Sequence, residues 1–440
     1  MGRGHVPTYM RVAFLSMLMA AALMAAQDPA AADAKRRVKA ARAFAKEGSA
    51  GVERLRPLLS DSDVGVRRAA VESLAAIGGQ QSLEPLTYSL TDGDGEVQRL
   101  AANGLVNFYV PGYYQSGWRG RMKRGAETML SRFRGADEPV APAYVTARPE
   151  IVAALGKVTA ESASMDARAA AARALGVLRG HQASEQLMAA LATKNTAVLY
   201  EVLTAFEKIR KADIAPRLFY MLRDPDEKVQ LAAIQTVSLL GNKEANPPLR
   251  EAWERTKSVR VRRALLEAMA MLPEEANRPL FEKYLLDPDE GMRAGAAEGI
   301  GRLGKAEDRA RIETLWDGER KMRPRLSLAY ALVALGQREI GELSPLQYLI
   351  NTLNHAAWKG VAQGFLKDLA PEAVVRYSLH NALLRANREE KLALADILGE
   401  GGGKDSVEPL ETLAKDADAE VSSESLRALR TLRMRLQSGA

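Results

Sequence analysis

The sequence predicts an all-α protein, an α-solenoid of stacked helix–turn–helix units of about 31 residues each. Three observations carry this expectation. One apolar pattern recurs along the chain at nearly constant intervals, aspartates and glycines bracket its copies at fixed offsets, and the 440 residues are 47% hydrophobic but only 5% aromatic. Such an apolar content excludes a disordered chain. The absence of cysteine excludes disulfides, a thiol nucleophile, an iron–sulfur cluster and a cysteine zinc site. The charge, 62 Lys and Arg against 55 Asp and Glu, is a mild excess that does not mark a nucleic-acid binder.

The chain opens on what reads as an export signal. Residues 1–26 hold Arg3 and Arg11, no acid, and the apolar run Val12 to Ala26, which ends at Gln27-Asp28-Pro29. A basic start, a short apolar centre and small residues before a break are the parts of a secretory signal peptide. The run is shorter than the ~20 residues that span a bilayer, so cleavage is expected and no transmembrane anchor afterwards. Met10 is an alternative start that leaves a shorter signal of the same form. The expected location is periplasmic or secreted, which disfavours nucleic acid as a partner. Residues 27–49 are expected to form a linker and capping helix.

From residue 50 the repeat takes over. With Val66 as anchor, small or apolar residues follow four, eight and eleven positions later, at Ala70, Leu74 and Ile77. The same quartet is found from Val97, Ala167, Val198, Val229, Val261 and Met292, and more loosely from Pro324, Trp358, Asn387 and Val421. From 167 to 324 the anchors step by 31, 31, 32, 31 and 32 residues. The offsets 0, 4, 8 and 11 place one stripe along a single helical face. Asp-x-Asp precedes five anchors, as Asp61/Asp63, Asp92/Asp94, Asp224/Asp226, Asp287/Asp289 and Asp416/Asp418. An aspartate there accepts hydrogen bonds from the free N–H groups of the first turn and suits the positive end of the helix dipole. Gly78, Gly241, Gly304, Gly336 and Gly399 lie twelve positions after their anchors, where a helix ends with positive φ. A second apolar segment precedes each such helix, with Pro85, Pro216, Pro279 and Pro409 suited to an opening turn or kink. One unit cannot bury its stripe alone, but stacked neighbours can.

The pattern of Asp-x-Asp, Val-Arg, Ala, Leu and Gly resembles HEAT repeats, in particular the short repeats of the phycobilisome-lyase HEAT-like family. The resemblance covers residues 50–108 and 148–436, with looser copies toward the C-terminus. It implies that the second helices line a concave binding surface. It also implies a structural ladder in which the arginine after the anchor (Arg67, Arg168, Arg262, Arg293, Arg325 and Arg388) pairs with aspartates of neighbouring repeats such as Asp61, Asp224 and Asp287. Gln98 and Gln230 take that place in two repeats and are expected to bond without charge.

Residues 109–147 interrupt the repeat. Seven of the chain's 24 aromatics fall between Phe108 and Tyr144, and six basic residues against one acid lie between Arg119 and Arg134. Insertions into solenoids emerge at turns and often carry function. Tyr109, Tyr113, Tyr114, Trp118, Arg119, Arg121, Lys123 and Arg124 are therefore the candidate binding residues, since rings beside cations stack and hold anionic groups. The competing reading is that the rings fold back as packing.

No catalytic residue, metal site or cofactor is expected. The HEAT-like relatives include bilin lyases and a hydroxylase that needs His-Glu pairs for two irons. Here His181, His355 and His380 stand singly, with no metal-ligand spacing. Gly401-Gly402-Gly403-Lys404 lacks the spacing and the Ser/Thr of a phosphate loop and reads as a linker. The resulting expectation is an exported, non-catalytic scaffold that binds a protein or an anionic envelope polymer. A divergent lyase- or hydroxylase-like enzyme is the alternative.

Overall fold

The computed structural model describes residues 29–113, 140–142 and 144–438, and helix is the regular element throughout them. The expected signal segment 1–26 lies outside the described residues. Helices α1 (Pro29–Phe44), α2 (Ser49–Leu55), α3 (Val64–Ile77), α4 (Leu83–Ser89), α5 (Gly95–Tyr109) and α6 (Pro149–Glu161) lead to α7 (Met165–Val177) and α8 (Ser184–Ala190). Next come α9 (Thr196–Ile209), a 3-10 helix over Ala212–Arg223, α10 (Glu227–Leu239), α11 (Asn246–Arg255), α12 (Val259–Met271), α13 (Arg278–Tyr284) and α14 (Glu290–Leu303). The series closes with α15 (Arg309–Gly318), α16 (Met322–Ala334), α17 (Pro345–Asn351), α18 (Lys359–Leu369), α19 (Ala373–Leu383), α20 (Arg388–Gly401), α21 (Val407–Leu413) and α22 (Ala419–Ser438). They form two compact units, among the described residues one of 29–113, 148–174 and 185–190 and the other of 140–142, 144–147, 175–184 and 191–438. In each unit the fold is an α-solenoid, because short first helices pack on the second helices of their repeats, as α4 on α5 and α13 on α14. Second helices stack in sequence, α1, α3 and α5 in the first unit and α9, α10, α12, α14, α16, α18, α20 and α22 in the second.

The stripe forms the core. Val66, Ala70, Leu74, Val97, Ala101, Leu105, Val229, Ala233 and Val237 are at most 1% exposed. Several second helices begin where a side chain three residues before the anchor accepts its N–H, whereas α16 and α18 have no side-chain cap. Asp63 accepts from Val66 at 3.1 Å, Asp94 from Val97 at 3.0 Å, Asn195 from Val198 at 3.1 Å and Asp289 from Met292 at 3.0 Å. The first aspartate of each Asp-x-Asp accepts the N–H of the second, at 2.9 Å for Asp61 and Asp224 and 2.8 Å for Asp92 and Asp287. That local turn holds the capping carboxylate in place. The segment at 29–47 is more than a cap, because α1 stacks on α3 as a second helix would, and Arg37 reaches Asp61 at 2.6 Å.

Two anchors expected from the sequence stand at helix starts instead. Trp358 and Asn387 are the N-caps of α18 and α20, not stripe residues. The expected Ala362, Leu366, Leu369, Ala395 and Leu398 are buried, and Val361, Phe365 and Leu394 are buried beside them. The Asn387–Glu390 capping box fixes the start of α20 at Arg388. For the same reason Gly399 does not end its helix. It lies inside α20 against α22, where an added Cβ would meet the Ala428 backbone at 2.9 Å. Gly78, Gly241, Gly304 and Gly336 do end theirs at φ between 63° and 105°. At the equivalent position in two other repeats stand Arg179 and Arg210, at φ 51° and 58°.

Candidate functional site

Of the residues expected to bind, Tyr114, Trp118, Arg119, Arg121, Lys123 and Arg124 lie outside the described residues. Tyr109 ends α5 half-buried, its ring edge-on to Phe108 at 5.0 Å and its hydroxyl accepting the Arg148 N–H at 3.2 Å. Tyr113 closes a turn through its N–H to the Val110 carbonyl at 3.1 Å. In the second unit, the Arg430 guanidinium lies 5.8 Å from the Tyr144 ring, and the Ala141 N–H bonds the Val177 carbonyl at 2.8 Å. Tyr109 is thus tied into the fold by both its ring and its hydroxyl, a packing role for that residue.

The ladder that the resemblance implies is present at Arg67, which holds both oxygens of Asp92 at 2.7 and 3.1 Å, and at Arg388, which reaches Asp418 at 3.0 Å, but the arginine after the anchor also has a second kind of partner. Its guanidinium reaches back over the first turn to backbone carbonyls at the end of its own first helix. Arg67 donates to the Asp61 carbonyl at 2.9 Å, Arg293 to Asp287 at 2.8 Å, Arg325 to Glu319 at 2.7 Å, Arg262 to Thr256 at 3.3 Å and Arg168 to Thr159 at 2.8 Å. Those carbonyls have no intrahelical partner, so a cation there serves as a C-cap. A carboxylate of the next repeat joins at Arg67, through Asp92 at 2.7 Å, and at Arg293, through Glu319 at 2.8 Å. Among the described residues Arg325 meets no such acid, because Ala356 holds the corresponding position. Arg262 lies over Trp253 at 5.5 Å instead of joining Asp287, and Arg325 lies over Trp316 at 4.2 Å. Asp224 receives the Asp226 N–H at 2.9 Å and, among the described residues, no arginine. Gln98 and Gln230 bond the carbonyls of Asp92 at 2.7 Å and Leu222 at 2.9 Å. A second inter-repeat ladder runs one residue further along, from Arg68 to Asp94 at 2.8 Å and from Arg263 to Asp289. Its signal in the sequence is the shared offset of 26 residues. The Arg68 bond chiefly holds the Asp94 carboxyl below its ordinary range.

The face of the second helices turned away from the first helices carries a charged network in the second unit. Gln235 on α10 bonds Glu207 on α9 at 3.0 Å, and Arg323 on α16 pairs with Glu267 on α12. Arg302 on α14 pairs with Glu298 at 3.2 Å and spans to Asp368 on α18 at 2.5 Å. Between those two helices lies Tyr330 of α16, 5.1 Å below the guanidinium and stacked on Phe365 at 4.5 Å. Burial works against the Arg302 charge, but Glu298, Tyr330 and Asp368 outweigh it and raise its pKa. Lys367 on α18 pairs with Asp396 at 2.7 Å and Glu400 at 3.0 Å, both on α20. Desolvation pulls that ammonium down, yet the two carboxylates hold it above the ordinary lysine range. Glu424 on α22 is pushed up, chiefly by burial. This row of alternating charge was not foreseen from the sequence.

The histidines do not converge. His181 and His355 are exposed, and His380 shares a 2.9 Å hydrogen bond with the Ser406 hydroxyl. Among the described residues no three His, Cys, Asp or Glu side chains are grouped to hold a metal ion, and no helix is long and apolar enough to cross a membrane. Burial, aided by Arg376 and opposed by Asp405, holds the His380 pKa below its ordinary value. The fold therefore favours neutral His380, a contribution that is full above the unfolded pKa and lost as pH falls through the folded one. Between pH 7.5 and 5 the melting midpoint of the wild type should fall more than that of His380→Gln. Parallel pH curves for the two would disprove this coupling.

A family model described as HEAT repeats matches residues 20–106, 184–270 and 214–301. No curated protein sequence matches the chain. Among solved structures, an engineered protein is 18% identical with a TM-score of 0.36 over 87% of this chain and 98% of its own. The complex of CpcE and CpcF of phycocyanin lyase from Nostoc sp. PCC7120 is 20% identical, with a TM-score of 0.39 over 67% of this chain and 98% of that one. Importin beta is 14% identical, with a TM-score of 0.39 over 88% of this chain and 57% of its own. At these identities none of them bears on what this chain binds.

Proposed function

Because this chain is a HEAT-repeat protein, we propose that it is an exported, non-catalytic scaffold that holds a protein partner on the charged face of its second helices. The observation that carries the reading is the network from Arg302 through Tyr330 and Asp368 to Lys367, Asp396 and Glu400. Side chains of both signs, held in place by one another across successive repeats, offer a fixed pattern of charge to a complementary surface. The basic and aromatic residues of 109–147 supply a second contact, suited to acidic groups on a protein or an envelope polymer. Export rests on the composition of residues 1–26. A lyase- or hydroxylase-like activity has no observation in its favour.

The test is affinity capture from a cell-envelope extract with three baits of equal helical melting curve. One is the mature chain, one carries Tyr113, Tyr114, Trp118, Arg121 and Arg124 changed to alanine, and one carries Lys367→Gln with Asp368→Asn. A partner retained by the first bait and lost from the third supports the face, and loss from the second assigns the insertion a share. A partner held equally by all three, or a mature chain recovered only from the cytosol, overturns the reading.

A further inference from the structure

Arg179 and Arg210 are the non-glycine residues at positive φ among the described residues, and they occupy the same position in two consecutive repeats. The backbone there is built for glycine. At the end of α7 the Gly180 N–H bonds the Leu175 carbonyl at 2.8 Å and the Arg179 N–H bonds Gly176 at 3.1 Å. The same two bonds close α16, where Gln337 bonds Leu332 at 2.9 Å, Gly336 bonds Val333 at 3.1 Å, and the left-handed residue is Gly336. A side chain with a Cβ is strained in that conformation.

The two arginines end helices that approach closely, and the Arg210 charge acts on Arg179. An added Cβ on Gly176 would lie 2.7 Å from the Ala205 Cα, so the ends of α7 and α9 touch through their backbones. Both side chains are exposed, and among the described residues neither has an ion pair or a side-chain hydrogen bond. Surrounding protein lowers the Arg179 pKa, with Glu400 opposing and the Arg210 charge adding to the fall. Helix-dipole compensation does not account for the placement. A cation in the last turn serves that purpose without strain, and Lys208 already stands there in α9.

We propose that Arg179 and Arg210 form a site for a tetrahedral oxyanion, a phosphate or sulfate group. Two planar guanidinium forks present several donors to such a group, and its double charge offsets both cations at once. A single carboxylate offsets only one. The site is independent of the scaffold reading, since none of its residues is altered in the capture baits.

The experiment uses the mature chain and its Arg179→Gly, Arg210→Gly and double variants, all of which relax the backbone. In phosphate-free buffer each variant should melt at or above the wild-type midpoint. Inorganic phosphate, titrated against chloride at matched ionic strength, should raise the wild-type midpoint and bind at least tenfold more weakly to the double variant. O-phosphoserine in parallel identifies the source: tighter binding than the free ion assigns the site to a phosphate carried on a larger molecule, and equal binding assigns it to the ion. Either result supports the site. Variants that melt lower without phosphate, or equal shifts of wild type and double variant by phosphate, would overturn it.

Discussion

Aspartate in place of Val237 is expected to abolish cooperative melting of the repeats built on α9, α10 and α12. Val237 is 0% exposed at the third stripe position of α10, which packs against α9, α12 and the 3-10 helix over Ala212–Arg223. The substitution removes a buried apolar side chain, about 1.5 kcal/mol or more, and puts a carboxylate into the apolar stripe. Desolvating that group without a partner costs several kcal/mol more, whether it stays charged or takes up a proton. In a solenoid the damage extends to both interfaces of the affected repeat, because each repeat is held by its neighbours. Val237→Ala is the control and should cost only about 1–2 kcal/mol, the transfer contribution of its methyl groups. Circular-dichroism melting and limited proteolysis across 196–271 read the result. An aspartate variant that melts with the wild type would mean that the helix phase assigned to α10 is wrong.

That phase was legible because the stripe, the capping aspartates and the terminal glycines agree wherever all three are present. In two of the repeats that lack the aspartates, those of α18 and α20, the agreement fails. In α18 both Trp358/Ala362/Leu366/Leu369 and Val361/Phe365/Leu369 satisfy an apolar spacing, and only the N-cap position separates them. In α20 the deciding signal, Asn387 with Glu390 three residues later, is visible in the sequence and outweighs the half-matched stripe. The charged face was less legible for a different reason. Arg302 meets Asp368 across 66 residues and an intervening helix, a distance set by how successive repeats stack. A pattern confined to one repeat contains no such information. The arginine C-caps were missed because their partners are backbone carbonyls, which leave no mark in residue types. Arg179 and Arg210, by contrast, are readable as arginines at the offset of a terminal glycine, an offset that Arg433 shares inside α22.

Arg302→Met should destabilise the second unit by about 3–5 kcal/mol, far beyond the ~0–1 kcal/mol of an exposed ion pair. The difference lies in what is left behind. The Arg302 and Glu298 side chains are 17% and 7% exposed, so deleting the cation leaves a desolvated carboxylate facing its former partner's apolar replacement. Asp368 is 43% exposed and can return to water, so it contributes little to the loss. Methionine keeps the stem of the side chain over Tyr330, which isolates the charge from the packing. The companion variant Arg302→Met with Glu298→Leu removes both charges and should regain most of the stability, because neither partner is then stranded. A double-mutant cycle by denaturant unfolding measures the coupling. If the single variant loses less than ~1 kcal/mol, the pair is hydrated and the charged face is a loose surface. If the double variant falls as far as the single, the loss comes from packing around Tyr330 and Phe365. The expected pattern, a large single loss with recovery in the double, marks charges fixed by mutual pairing, the property a scaffold needs to present one charge pattern to its partner.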